Sequence, residues 1–181
     1  DLRGVQRDPV RPTGRVRVTE TRGGHAFDIL GDQAYDHIHP GLARMVAMSV
    51  HPAMIYFGTL SQRGESRRAL RELLGTADAR VFLDVNLRDP WVDPDALRWS
   101  LQQAHVVKLN ADELQRVAGL FALDGATPQA RAAVLLSGFG LQRVVVTCGA
   151  AGAWTLDAAG RVEAVDGTPL PQVVDTVGAG D

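Results

Sequence analysis

The stretch Val106-Val-Lys-Leu-Asn110-Ala-Asp-Glu113 decides the fold that the sequence predicts. Its first four residues have the length and β-branched content of a buried strand, and Asn110 can cap a helix that begins at the next residue. Similar apolar runs recur along the chain, with segments spaced like helices between them. The runs are 54–57, 81–85, 106–109 and 144–147, and the helical segments are 65–74, 94–103, 111–119 and 127–137. This alternation predicts βαβ units and an α/β fold with a mostly parallel sheet and helices on both faces.

Polar residues come directly after three of these predicted strands. They are Asp84-Val-Asn86-Leu-Arg88, Asn110-Ala-Asp-Glu113 and Thr147-Cys-Gly149-Ala-Ala-Gly152. In open α/β sheets, ligands bind beyond the carboxyl ends of the strands. We therefore expect all three groups to converge on one edge of the sheet.

Composition narrows the class of protein. A net charge of -2, with arginines scattered along 181 residues, gives no basic surface for nucleic acid. The one cysteine fits a reducing compartment, and no apolar run is long enough to span a membrane. We expect a cytoplasmic protein that binds neither nucleic acid nor membrane.

The last nine residues, Val173-Val-Asp-Thr-Val-Gly-Ala-Gly-Asp181, carry the most chemistry. Backbone N–H groups of Gly178, Ala179 and Gly180 can point into one concavity and hold a phosphate. Because Asp181 would repel that phosphate, it is better suited to taking a proton from an incoming hydroxyl. The alternatives are an ordinary turn or a truncated dinucleotide fingerprint, but such a fingerprint should follow directly on an apolar strand.

Two further groups suit a nucleotide and its metal ion. Asn110 and Glu113 lie one helical turn apart, and an amide with a carboxylate suits Mg²⁺ and its water shell. Helix capping is the alternative for this pair. Thr147, Gly149 and Gly152 could let the backbone approach a phosphate or a ribose. The alternative for them is a tight turn into a strand at 153–156.

Asn86 and Arg88 are the candidate substrate residues. Arginine can neutralise a phosphate or clamp a sugar hydroxyl or carboxylate, and Asn86 can hydrogen-bond either. Asp84, at the start of the same stretch, could instead cap or pair with a neighbour.

The N-terminal part of the chain has a different pattern. Residues 15–20 and 25–30 alternate in polarity around Arg22-Gly23-Gly24, which predicts an exposed β-hairpin. A short helix at 41–48 follows. His37 and His39 lack a third ligand at fixed spacing, so no metal site is predicted for them.

The stretch Asp175-Thr-Val-Gly-Ala-Gly-Asp181 resembles the C-terminal signature of the ribokinase-like (PfkB) carbohydrate kinases. Lys108-Leu-Asn110 before Glu113 is similar to the family's Mg²⁺ and phosphate motif. The stretch from Asp84 to Trp91 resembles a sequence region of fructokinases and of 2-keto-3-deoxygluconate kinases. The stretch Phe57-Gly-Thr-Leu-Ser61 is similar to the sequence of the fructokinase branch of the family. The resemblance implies a ribokinase-like, doubly wound fold with part of a small β-sheet lid over the sugar.

The resemblance also implies roles for these residues. Asp181 would be the catalytic base, the amides of Gly178–Gly180 the anion hole, and Glu113 a Mg²⁺ group acting through water. Thr147 and Gly149 would lie against the nucleotide, and a K⁺ site beside Asp175 and Thr176 is implied. Residues 1–31 would belong to the lid and 32–181 to the kinase core, and lid pairing would make a homodimer.

The expected activity is transfer of the γ-phosphate of ATP to a hydroxyl of a small sugar, with fructose first. The alternatives are a 2-keto-3-deoxygluconate or nucleoside kinase of the same fold, or a non-catalytic sugar- or nucleotide-binding module. The family's N-terminal sugar-binding positions and its adenine-contacting segment have no counterpart in the sequence. We interpret the chain as an internal piece of a longer kinase and expect no useful activity from the piece alone.

Overall fold

The computed structural model describes residues 4–21 and 24–168. The chain folds into two compact units. The first is made of the described residues of Asp1–Ile55 together with Leu60–Ala79. The second is made of Tyr56–Thr59 together with the described residues of Arg80–Asp181.

The first unit contains the N-terminal hairpin and a pair of helices. Strands β1 (Val16–Thr21) and β2 (Gly24–Ile29) pair antiparallel, with Val16 opposite Ile29, which confirms the predicted hairpin. Helix α1 (Pro40–Val50) is longer than the predicted segment, and it packs against α2 (Ser66–Thr76). The imidazole of His39 explains the early start of α1, because its Nδ1 accepts the backbone N–H groups of Gly41 and Leu42.

A buried ion pair joins two segments of the first unit. Arg63 Nε donates to Asp36 Oδ1 at 2.8 Å, and the two side chains are only 12% and 6% exposed. Arg63 also donates to the carbonyl oxygen of Leu30. The segment that follows the hairpin is therefore anchored to the residues that precede α2.

The six remaining strands form one mixed sheet. They are β3 (Met54–Gly58), β4 (Arg80–Asp84), β5 (Val106–Asn110), β6 (Arg143–Thr147), β7 (Ala153–Asp157) and β8 (Val162–Val165). Their spatial order follows the chain order from β3 to β8. Strands β4, β5 and β6 run parallel, whereas β7 and β8 continue the sheet as an antiparallel meander.

Three helices pack on this sheet: α3 (Pro94–Gln103), α4 (Ala111–Phe121) and α5 (Pro128–Phe139). Alternate residues of β5 and β6 point toward the core. Val107, Leu109, Val144 and Val146 are completely buried, while Lys108 and Val145 between them are only partly buried. Burial of these aliphatic side chains supplies the main driving force for this part of the fold.

The mixed sheet with its helices, together with the small antiparallel sheet, confirms the predicted α/β class. Strand β8 was not predicted, because Val162–Val165 is short and all four residues are exposed, so no buried apolar run marks it. None of the helices in the described part of the chain is long and apolar enough to cross a membrane.

Candidate active site

The three predicted polar groups follow neighbouring parallel strands. Asp84 is the register partner of Lys108 across β4 and β5, and Asn110 is the partner of Thr147 across β5 and β6. The carboxyl ends of these strands therefore lie at one rim of the sheet. The loop with Asn86, the first turn of α4 with Glu113 and the turn with Gly149 all begin at this rim, as the sequence predicted.

Asn110 and Glu113 form a reciprocal capping box at the start of α4. Asn110 Oδ1 accepts the backbone N–H of Glu113 at 2.8 Å, and Glu113 Oε2 accepts the backbone N–H of Asn110 at 2.9 Å. Asn110 is exposed, whereas Glu113 is only 8% exposed. Helix capping, the structural alternative for this pair, is thus present in the structure.

The second oxygen of the same carboxylate holds a different segment. Glu113 Oε1 accepts the backbone N–H of Leu87 at 2.7 Å, in the loop after β4. Each oxygen of Glu113 therefore accepts one backbone N–H and keeps a further lone pair. Such a carboxylate fits a role toward Mg²⁺ through the water shell of the ion, which is the role predicted for it.

The loop after β4 carries the two candidate substrate residues. Asn86 is half-buried with a φ of 39°, in the left-handed region that asparagine tolerates better than most residues. Arg88 is also half-buried, and its Nη1 lies 3.4 Å from the carbonyl oxygen of Leu87. On the β3 side, Thr59 Oγ1 donates to the carbonyl oxygen of Val85 at 2.7 Å. The loop is therefore held by hydrogen bonds with Thr59 on the β3 side and with Glu113 on the α4 side.

The turn from Thr147 to Gly152 is closed by its own hydrogen bonds. The backbone N–H of Cys148 donates to the carbonyl oxygen of Gly152 at 2.7 Å. Gly149 has a φ of 56° with open space beside it, so a ligand could approach its backbone. Gly152 has a φ of 94°, and a Cβ there would lie 2.1 Å from the carbonyl oxygen of Val165. Close backbone packing therefore explains the glycine at 152.

A buried ion pair at the same rim was not predicted in this form. Asp84 Oδ2 accepts from Lys108 Nζ and from the hydroxyl of Tyr56, each at 3.0 Å. The Asp84 side chain is 5% exposed, and its Oδ1 is buried without a hydrogen-bond partner among the described residues. A carboxylate at the end of an otherwise apolar strand was the feature of the sequence that could have indicated a buried ion pair. Its partners could not be identified from the sequence, because they come from neighbouring strands.

A second ion pair joins the loop after β4 to α4. Arg116 contacts Asp89 through two hydrogen bonds of 2.8 and 2.6 Å. These bonds lower the pKa of the Asp89 carboxyl and raise the pKa of the Arg116 guanidinium. Sequence reasoning missed this pair, because nothing in the spacing of residues 89 and 116 indicates contact.

The predicted catalytic and cation residues lie outside the described residues. They are Asp175, Thr176, Gly178, Ala179, Gly180 and Asp181. Their assignment therefore stays a prediction from the sequence.

Comparison with known proteins places the chain in a family of kinases. The sequence model for pfkB family carbohydrate kinases matches residues 1–181. The chain therefore belongs to this family, and its mixed sheet is that of the ribokinase-like fold. No curated protein sequence matches it.

Solved structures of similar fold include three kinases. A putative Ribokinase II from E. coli has a TM-score of 0.78 at 20% identity, with 95% of this chain and 56% of that one covered. Aminoimidazole riboside kinase from Salmonella enterica, complexed with aminoimidazole riboside and an ATP analog, has a TM-score of 0.74 at 22% identity. The alignment covers 99% of this chain and 58% of that one. Fructokinase from Xylella fastidiosa, with bound ATP, has a TM-score of 0.69 at 21% identity. The alignment covers 96% of this chain and 54% of that one. The chain thus spans somewhat more than half the length of these structures.

Proposed function

We propose that the protein is an ATP-dependent sugar kinase that transfers the γ-phosphate of ATP to a hydroxyl of a small sugar. The observation that carries this proposal is the match of the whole chain, residues 1–181, to the pfkB carbohydrate kinases. The convergence of three polar segments at one rim supports it, because open α/β sheets bind ligands there.

Asp181 is proposed as the base that accepts the proton of the attacking hydroxyl. The backbone amides of Gly178, Ala179 and Gly180 would stabilise the charge that spreads over the transferred phosphoryl group. Positioning of the two substrates supplies most of the rate in such a reaction. The residue types of the segment 175–181 support these roles.

ATP and Mg²⁺ are the proposed cofactors. The nucleotide would lie against Asn110, Glu113, Thr147, Gly149 and Gly152, with Glu113 directed at the water shell of the metal. Bound Mg²⁺ neutralises charge on the phosphates. A putative Ribokinase II from E. coli was solved with ATP and Mg²⁺, which supports this choice. A K⁺ site beside Asp175 and Thr176 is proposed from the family resemblance alone.

Fructose is the first candidate for the acceptor, with Asn86 and Arg88 in contact with it. The stretch from Asp84 to Trp91 favours a fructokinase or a 2-keto-3-deoxygluconate kinase. The similarity to aminoimidazole riboside kinase favours a nucleoside-like acceptor as the second candidate. Arginine suits a carboxylate or a sugar hydroxyl, so Arg88 fits any of these acceptors.

The hairpin β1–β2 is proposed as part of a lid over the acceptor, and pairing of two lids as the basis of a homodimer. Its antiparallel strands support the first of these proposals. A cytoplasmic location is proposed from the single cysteine and from the use of ATP.

The test is a panel of acceptors with ATP and Mg²⁺, using the full-length protein and measuring ADP release. We expect fructose to be phosphorylated, and Asp181→Asn to lower kcat by about 100-fold or more with little change in fructose KM. Near wild-type turnover of this variant would refute the base assignment. Binding of fructose without ADP release would favour a non-catalytic binding module instead.

A further inference from the structure

Two side chains on one face of α4 hold the loop that follows β4. Glu113 and Arg116 lie one helical turn apart, and they contact Leu87 and Asp89, two residues apart on the loop. The Glu113 contact is buried, whereas the side chains of the ion pair between Arg116 and Asp89 are 42% and 69% exposed. The buried contact is therefore the stronger constraint.

Glu113 takes part in two structures at once. Its Oε2 closes the capping box on Asn110, and its Oε1 accepts the N–H of Leu87, between Asn86 and Arg88. A single carboxylate thus connects the proposed nucleotide motif directly to the proposed acceptor loop. Loss of Oε1 as an acceptor would leave the buried N–H of Leu87 unsatisfied, and loss of Oε2 would open the capping box at the partly buried N–H of Asn110.

The loop needs such an external constraint. Asn86 has a φ of 39°, a conformation that a residue with a side chain adopts only at some cost in free energy. The neighbouring N–H of Leu87 and the carbonyl of Val85 are fixed by side chains of Glu113 and Thr59, at 2.7 Å each. These two bonds flank Asn86 and set the direction in which residues 86 and 88 leave the rim.

We propose that Glu113 is a positioning residue for the acceptor, in addition to any role toward Mg²⁺. It fixes the loop 85–88, so that the affinity for the acceptor sugar depends on this carboxylate even without nucleotide or metal. This inference rests on the proposed function, because it takes Asn86 and Arg88 as acceptor-binding residues. Thr59 acts on the same loop from the β3 side.

The test measures fructose binding with no nucleotide and with EDTA present. Isothermal titration calorimetry on the full-length protein would compare Glu113→Ala with Asp112→Ala. The control removes a carboxylate from the same helical turn, at an exposed position. We expect the fructose Kd to rise about 10-fold in Glu113→Ala, which removes the acceptor for the buried N–H of Leu87, and to stay within about 2-fold in Asp112→Ala.

A second variant tests the same loop if Glu113→Ala does not fold. Thr59→Val keeps the shape of the side chain and removes only the hydroxyl that holds Val85. It should raise the fructose KM about 5-fold while leaving the KM for ATP and the Mg²⁺ dependence unchanged. A change in the KM for ATP and in the Mg²⁺ dependence alone in Glu113→Ala, with fructose binding intact, would overturn the proposal.

Amide exchange separates this inference from the proposed function. The N–H of Leu87 should exchange at least about 10-fold faster in Glu113→Ala than in the wild type, whatever the acceptor sugar is. If the wild type phosphorylates no sugar in the panel, the proposed function fails, and the exchange of Leu87 still decides whether Glu113 fixes the loop. Equal exchange in the two proteins would refute that step.

Discussion

Asn110 and Thr147 are register partners at the carboxyl ends of the parallel strands β5 and β6. Parallel neighbours place both residues at the same rim, so the cap of α4 and the turn after β6 begin side by side. Glu113 follows one helical turn after Asn110 and reaches the loop after β4. Three segments that are far apart along the chain thus meet at one rim.

Two substitutions can separate the capping role of Asn110 from its proposed role in nucleotide binding. Asn110→Ala removes the acceptor for the N–H of Glu113 and should lower the free energy of unfolding by about 1 kcal/mol. Asn110→Ser keeps a good capping oxygen and should retain most of that stability. If Asn110 also contacts the nucleotide, both variants should show a raised KM for ATP. Urea unfolding and steady-state kinetics measure the two effects, and an ATP KM unchanged in both would restrict Asn110 to capping.

Gly149 and Gly152 should respond very differently to alanine. Gly149→Ala puts a Cβ into open space at a φ of 56° and should cost about 1 kcal/mol of folding stability. Gly152→Ala puts a Cβ 2.1 Å from the carbonyl oxygen of Val165 and should cost several times more, because backbone must move. Thermal unfolding of the two variants tests this. Equal losses of folding stability in the two variants would contradict the close packing around residue 152.

The ion pair between Asp84 and Lys108 should contribute strongly through its burial. Lys108→Met leaves the carboxylate of Asp84, 5% exposed, without its cation and should lower the free energy of unfolding by about 3 kcal/mol or more. The double variant with Asp84→Asn should lose less than this single variant, because no buried charge remains. Denaturant unfolding measures both, and a loss below about 1 kcal/mol for Lys108→Met would contradict a buried, uncompensated charge.

The pair of Asp89 and Arg116 predicts a dependence on pH. Hydrogen bonds from Arg116 lower the pKa of Asp89 below its ordinary value of 3.8. Because the pKa is lower in the folded state, the stabilising effect is present above about pH 4 and is lost as the pH falls through the folded pKa. In Arg116→Gln, an NMR titration should find the pKa of Asp89 closer to 3.8. The control is Asp157, whose pKa is lowered chiefly by the backbone N–H of Arg161 and should not move.

Much of the fold followed from local patterns. Apolar runs of four or five residues predicted the parallel strands β4, β5 and β6, and the capping residue Asn110 marked where α4 begins. These features depend on residues close together in sequence, so periodicity and side-chain chemistry reveal them. Strand β8 was not predicted, because it is defined by its pairing with β7 and not by a buried apolar run.

The candidate site was predictable only in part. The rule on carboxyl ends of strands placed Asn86, Asn110 and Gly149 at one rim from the sequence alone. The partners of the buried carboxylates were not predictable in this way. Asp84 bonds to Lys108 and Tyr56, and Glu113 bonds to Leu87, through contacts between segments that are 24 to 28 residues apart.

The sequence by itself determined the α/β class, the order of the strands and helices from 54 to 147, and the polar residues that end three strands. It did so because burial periodicity and helix caps are local properties of the chain. The tertiary structure alone decided that Glu113 holds the loop carrying Asn86 and that close backbone packing requires a glycine at 152. Those contacts exist only after strands and loops distant in sequence have been brought together, since hydrogen bonds and steric exclusion act over a few ångströms of space.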